Sequence, residues 1–492
     1  MLVATVNPPF LKNYSRQSRS PCVAKSGTIY YAYYLAYAGC ALEMGGHTVK
    51  HIDAIVGDIH FDETIRQLVL EKPRLILVDT STPSIESDIR FCAEVKKALP
   101  TSIIACVGTF PSKNVDEFFR LNSNAESPVD LVLRGEYEET ALELANSIEN
   151  NQPFSSIEGI ALISNSGETV TNGGLRKTNE EFLNELPFVS EFYLRHFGEA
   201  GIKRHFYASI NWPYIQVLTA RGCPYQCSFC NIPSIGSYRI RSVDSVIDEL
   251  LFIQNEMPFV KEVFFEDDTF PINRKRTEEL CKKIIDNKIF LTWSCNARVN
   301  TKKETLALMK KAGCRLTCVG FESPTENSLK DIKKKTSIQQ QEQFMMDANS
   351  VGMKVNGCFI LGLPGDTEKT IEETIEYSKK LMPNTAQFYP HMLYPGTASF
   401  EWAEQNGLLS HKNWSEWLTE EGFHNTPLKT SEISPKRLLE LADGARLKFY
   451  GNPRYILKMF FQGLRSPKEM QRMLIAGKSF FPILFGYVFR KR

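Results

Sequence analysis

The chain has 492 residues, room for two to four domains, because single hydrophobic cores stop growing near ~250–300 residues. It is 42% hydrophobic, 23% charged and 11% aromatic, which excludes disordered, collagenous and coiled-coil classes. Its 58 Lys and Arg stand against 57 Asp and Glu, and a net charge of +1 argues against wholesale nucleic-acid binding.

No run approaches the ~18–20 apolar residues of a membrane span. Met1–Val6 is apolar at once, lacks a basic leader and runs into Asn7-Pro8-Pro9, so no secretory signal is read. That predicts a cytoplasmic chain whose twelve cysteines stay reduced.

Residues 1–148 alternate between short apolar strands and helices. Leu2–Val6, Thr48–Ile52, Leu75–Val78, Ile103–Val107 and Leu131–Leu133 read as strands, and Tyr30–Leu42 and Ile85–Ala98 as helices between them. The pattern predicts an α/β doubly wound, Rossmann-like parallel sheet, with ligands at the carboxyl ends of its strands. Residues 149–212 are turn-rich and read as a linker with a small β element, a hairpin of Gly159–Ile163 with Glu168–Val170. Alternation resumes over 213–400, in six strand–helix units that predict a partial (β/α)6 TIM-like barrel. Residues 401–492 read as a helical carboxyl-terminal region.

The strongest chemical signal is Cys223-Pro224-Tyr225-Gln226-Cys227-Ser228-Phe229-Cys230, a Cys-x3-Cys-x2-Cys spacing. Thiolates hold iron–sulfur clusters, normally four to a 4Fe–4S unit. A fourth local cysteine is missing, which would leave one iron open for a ligand. Chance clustering and a zinc site completed elsewhere are the other readings, although no His lies in this loop. The remaining barrel cysteines, Cys281, Cys295, Cys314, Cys318 and Cys358, sit in strand or helix patterns and read as buried packing.

This segment resembles the radical S-adenosylmethionine (SAM) superfamily. The resemblance implies a 4Fe–4S cluster on Cys223, Cys227 and Cys230, with Phe229 the aromatic before the third cysteine. It implies SAM chelated to the open iron, then cleaved by one electron from a donor such as flavodoxin or ferredoxin to give a 5′-deoxyadenosyl radical. Elements at later strand ends extend it. Asp267 and Asp268 would contact the SAM amino group and Arg298 its carboxylate. Glu322 and Ser323 would lie near the ribose and methionine, and Ile360 and Gly362 near the adenine.

The first domain resembles the cobalamin-binding domain that precedes many radical SAM barrels. Asn7 and Pro8, then Thr80, Ser81 and Thr82, then Gly108 and Thr109, then Gly135 and Glu136 follow successive strands and are the implied cobalamin contacts. Small residues and hydroxyls there would let backbone approach a large flat ligand. The cobalt-ligating His motif of many such domains is absent after the first strand. His60 lies after the second and reads as a surface residue. The basic stretch Lys12–Lys25 is long for a loop and is placed either over this face or in solvent.

Together these imply a cobalamin-dependent radical SAM enzyme, a methyltransferase acting at an unactivated carbon of a small-molecule or lipid substrate. The alternatives are rearrangement or cyclisation without methyl transfer, a tRNA methylthiotransferase-like enzyme, and a non-catalytic cobalamin or redox sensor. DNA is not an expected partner, and the near-zero charge disfavours tRNA. Phe480–Phe489 followed by Arg490-Lys491-Arg492 is read either as a helix packed on the barrel or as a peripheral membrane contact.

Overall fold

The computed structural model describes the whole chain apart from residues 165, 233–235, 412, 466–468, 475–476 and 478–492. The apolar stretch Phe480–Phe489 and its basic end therefore lie outside the described residues.

The first sheet has seven strands: β1 (Leu2–Asn7), β2 (Thr48–Asp53), β3 (Leu75–Asp79), β4 (Ile103–Val107), β5 (Leu131–Leu133), β6 (Ile160–Ile163) and β7 (Thr169–Thr171). Their order is β2-β1-β3-β4-β5-β6-β7, and the first five run parallel. Every residue of β3 is buried because both sheet faces are covered. Leu75 and Leu77 pack on the side of α1 (Tyr33–Met44) and α5 (Glu138–Glu149). Ile76 and Val78 pack on the side of α2 (Phe61–Glu71), α3 (Ile85–Ala98) and α4 (Val115–Asn124). Each such side chain stabilises the fold by about 1.5–3 kcal/mol.

The hairpin expected inside a linker is instead the edge of this sheet. β6 pairs antiparallel with β5, and β7 with β6, so the sheet runs on to Thr171 instead of stopping near residue 148. The reason is register: Leu131–Leu133 leaves an open edge, and Ile160–Leu162 has the apolar residues to cover it.

The second sheet has six strands in chain order, all parallel: β8 (Tyr214–Val217), β9 (Glu262–Phe265), β10 (Trp293–Ala297), β11 (Cys314–Glu322), β12 (Lys354–Leu361) and β13 (Thr385–Pro390). Its two end strands do not pair with each other, so the barrel is partial, as expected. Each open edge is covered. Tyr450, at the end of α12 (Pro435–Tyr450), hydrogen-bonds through its hydroxyl to both the N–H and the carbonyl of Ala386 on β13. On the other edge Tyr31 donates to the Tyr214 carbonyl at 2.9 Å, and the Tyr37 hydroxyl accepts from Leu218 N at 2.8 Å. The first domain therefore closes the side of the barrel that the sheet leaves open.

Ion pairs tie the domains together, two of them beside the cysteine loop. Arg221 Nη1 lies 2.6 Å from Glu138 Oε1, with both side chains nearly inaccessible. Arg239 pairs with Glu136 at 2.6 Å. The nine cysteines outside the loop motif are free thiols, and all but half-buried Cys358 are buried. Cys92 and Cys106 face each other at 3.9 Å between α3 and β4, which is ordinary core packing.

Candidate functional site

The chain leaves β8 and makes a short antiparallel ribbon, Ala220–Arg221 with Arg239–Ile240, that ties off the cysteine loop. Gly222 turns the loop with φ +78°, a left-handed conformation that favours glycine. Gly236 N donates to the Cys223 carbonyl at 2.7 Å, and Cys230 N to that of Cys227 at 3.1 Å. Cys227 is buried, while Cys223 and Cys230 are half-buried. Among the described residues no three His, Cys, Asp or Glu side chains are gathered closely enough to hold a metal ion, the loop thiols included. The donor chemistry nevertheless fits a cluster: three free thiols on one pinned loop. Burial pushes the Cys230 thiol up to about 12 and raises that of Cys223. Both are protonated at neutral pH, so iron binding must displace protons.

A second segment, which the motifs did not reveal, clamps this loop. Ser228 N donates to the Ile332 carbonyl at 3.0 Å, and the Cys227 thiol lies 3.9 Å from the Lys333 carbonyl. Arg298 donates to the Lys334 carbonyl, stacks 3.7 Å over the Tyr225 ring and approaches Cys227 Sγ at 3.9 Å. Its Nε is buried without a partner. The structure thus sets Arg298 beside the loop with donor capacity to spare. Glu322, with φ +64°, pairs with Lys334 at 2.5 Å, and Lys334 lies 5.8 Å from the Phe229 ring centre. A Cβ on Gly320 would lie 2.1 Å from Glu322 Oε1, so glycine there is what lets this pair form. The Ser323 hydroxyl caps the next turn by accepting from Thr325 N. Phe229 and Ile360 meet in one small apolar cluster with Leu329, Ile332 and Leu363.

Several expected ligands are occupied internally. Asp267 accepts from Thr219 N and Oγ1, both at 2.6 Å, so it anchors the entry to the cysteine loop and is turned away from the open space. The Gly362 N–H donates to Asp366, and its carbonyl meets His391 Nδ1. Asp268 does face the open space. There Arg19 reaches across from the first domain to Asp268 at 3.3 Å and to Glu266 at 2.5 Å. Burial pushes the Glu266 carboxyl up to about 7 although Arg19 pulls it down.

A cleft opens between the domains. Its first-domain wall is Asp79, Thr80, Gly108, Thr109 and Gly135, at the carboxyl ends of β3, β4 and β5. Its barrel wall is Asn231 and Ile232, just past Cys230, together with Asp268. The long basic loop supplies Arg16, Gln17, Ser18 and Arg19, so it lies over the cleft. Gly108 has φ +119°, and a Cβ there would lie 2.2 Å from the Thr80 carbonyl oxygen. Backbone therefore forms the floor at that point. Among the described residues no histidine lines the cleft, and His60 is exposed at the start of α2. Bare backbone and hydroxyls fit a large flat group held without a protein imidazole.

Five of the expected first-domain contacts do not line it. Asn7 donates to Asp53 and accepts from Arg16, and the Pro8 carbonyl accepts from Arg16 as well. Ser81 bonds to Tyr14 and Ser84, Thr82 starts a short 3-10 turn, and Glu136 is held by Arg239. Asn7, Pro8, Ser81 and Glu136 thus have partners within the protein in place of the implied ligand. The cleft residues that sequence reasoning missed include Lys113, 3.2 Å from Asn231 Oδ1; Asp79, next to Thr80, also lines the cleft, and burial pushes its carboxyl up to about 7.

These parts describe a partial barrel with a three-cysteine loop, capped by a doubly wound domain across a shared cleft. The Radical SAM superfamily profile matches residues 217–378 of the chain. Among its relatives is an uncharacterized methyltransferase, PH0819, of Pyrococcus horikoshii, 29% identical over 419 residues that cover 85% of this chain and 87% of that protein. Another is the anaerobic magnesium-protoporphyrin IX monomethyl ester cyclase of Rubrivivax gelatinosus, 26% identical over 75% of this chain and 65% of that protein. The fold is shared with the radical SAM methyltransferase TsrM of Kitasatospora setae, solved with cobalamin and a [4Fe-4S] cluster bound. That likeness has a TM-score of 0.67 at 16% identity, over 92% of this chain and 89% of the other.

Proposed function

We propose that the chain is a cobalamin-dependent radical SAM methyltransferase acting at an unactivated carbon of a small-molecule or lipid substrate, in the cytoplasm. One observation carries this reading: the cysteine loop and the strand ends of the first domain border the same cleft. When bound, the groups supply one-electron cleavage of SAM and a transferable methyl.

The chain's own residues do the rest. Cys223, Cys227 and Cys230 would hold the cluster, and half-buried Cys223 and Cys230 leave that side of the loop open to an electron donor of the flavodoxin or ferredoxin kind. Arg298 offers a guanidinium to a carboxylate beside Cys227, a charge-assisted contact. Thr80, Gly108, Thr109 and Gly135 would carry the cobalamin on a floor of backbone and hydroxyls. Arg19 holds the two halves of the cleft together and helps to keep water out, so that reacting atoms meet in a fixed order.

The cyclase relative, which covers 75% of this chain, supports radical cyclisation as a second reading. Mass spectrometry of metabolites and lipids from cells with the active protein and with a Cys227→Ala protein separates the two. Methyl transfer gives a product heavier by one methylene. Cyclisation gives one lighter by the hydrogens lost.

A further inference from the structure

The helix α13 (Pro453–Arg465) is mounted inside out. Its polar groups face the protein: Tyr455 donates to the Asn384 carbonyl, Gln462 accepts from Asn384 Nδ2, and Lys458 donates to the Met382 carbonyl. Its large apolar residues face outward. Ile456, Leu457, Phe460, Phe461 and Leu464 are each 53–62% exposed. At 3.6 residues per turn these five fill an arc of about 140° on one side. A surface helix of a self-contained domain carries the opposite arrangement, so this face is built to meet something apolar.

Charge identifies the partner. From residue 444 onward the chain holds eleven Lys and Arg against one acid, Glu469, although the whole chain is balanced at +1. Arg454 and Arg465 are exposed at the two ends of the helix, both just past one edge of the apolar arc, and neither makes an ion pair among the described residues. An apolar stripe bordered on one edge by unpaired cations, in a segment this basic, matches an anionic lipid surface. A protein partner would need a compensating acidic rim, whereas a bilayer supplies both the acyl layer and the negative headgroups.

We propose that α13 lies in the headgroup region of an anionic membrane and makes the enzyme a peripheral membrane protein. This does not rest on the methyltransferase reading. Met382 and Asn384 precede β13, so α13 sits at the amino-terminal ends of the barrel strands. The cysteine loop follows the carboxyl end of β8. The cleft therefore opens away from the bilayer, and α13 anchors the protein without feeding the site.

The test is co-sedimentation of the full chain, cluster reconstituted, with vesicles of mixed phosphatidylglycerol and phosphatidylcholine, and with phosphatidylcholine alone. The wild-type chain pellets with the anionic vesicles, and binding falls as salt is raised. Phe460→Ser with Phe461→Ser lowers partitioning about 30-fold, from partial burial of two phenyl rings. Arg454→Gln with Arg465→Gln lowers it about fivefold per residue on anionic vesicles only. Both variants touch exposed positions, and SAM cleavage stays at the wild-type level. Should the phenylalanine variant fold poorly, the arginine variant carries the test. A wild-type chain that stays in the supernatant overturns the proposal, as does a Phe460/Phe461 variant that pellets equally well. Light scattering that shows a vesicle-free dimer, lost in the phenylalanine variant, also overturns it and assigns the face to a second copy of the chain.

Discussion

The Arg221–Glu138 pair gives the sharpest energetic prediction, because it joins the residue two before Cys223 to the first turn of α5. The two side chains are 2% and 0% exposed. Arg221→Met keeps the apolar stem and removes the charge. Glu138 is then left buried, with Glu136 nearby and its carboxyl already raised by burial even when Arg221 is present. Removing one partner of a buried pair costs about 3–5 kcal/mol, whereas replacing both is close to neutral. The guanidinium also lies 5.0 Å and 4.8 Å from the rings of Tyr34 and Tyr37, contacts that are together worth about 1 kcal/mol. The single variant should therefore lose about 4–6 kcal/mol in urea denaturation. Arg221→Met with Glu138→Gln should lose about 1–2 kcal/mol. Iron content after reconstitution should fall in the single variant and recover in the double. A double variant no more stable than the single would refute the reasoning, because the loss would then come from packing and not from a stranded carboxylate.

Glu266→Gln tests the buried carboxylate at the barrel mouth. Its folded-state pKa is raised from 4.5 to about 7, so its contribution is present at acid pH and lost as pH rises through that window. The stability of wild type minus that of the variant should fall by about 3 kcal/mol from pH 4.5 to about 7, and a flat difference in denaturation series would contradict this. Gly320→Ala places a methyl 2.1 Å from Glu322 Oε1, so it should break the Glu322–Lys334 pair and cost about 1–3 kcal/mol in thermal or urea unfolding. Thr109→Trp fills part of the cleft floor, and reconstituted protein should lose corrinoid absorbance while keeping its full iron content. Equal loss of both would place Thr109 in the stability of the fold and not in the cleft.

The parallel architecture was legible because buried strands read as apolar runs and Gly and Asn punctuate them. The cysteine loop was legible because its spacing is local. What failed was orientation. Asp267 and Asp268 are neighbours in sequence, but consecutive residues at a strand end point in opposite directions. One is therefore consumed by Thr219 while the other faces Arg19. Asn7 and Glu136 stand at strand ends as implied ligand contacts, yet their partners Arg16 and Arg239 come from other segments that no local pattern connects. The basic loop that holds Arg19 is legible, but the pairing of Arg19 with Glu266 is not, because the two are 247 residues apart. The tail read correctly as helical and aromatic. Periodicity gives the stripe of α13 but not which side meets the protein, and only the bonds to Met382 and Asn384 decide that.

The central claim is that the three loop cysteines hold a cluster that cleaves SAM reductively. Anaerobic reconstitution with iron and sulfide, then dithionite and SAM, with 5′-deoxyadenosine followed by mass spectrometry, tests it most directly. The wild-type chain should bind one four-iron cluster and produce 5′-deoxyadenosine, and the Cys227→Ala protein should produce none. A Cys227→Ala protein that carries a full cluster and still releases 5′-deoxyadenosine would contradict the account.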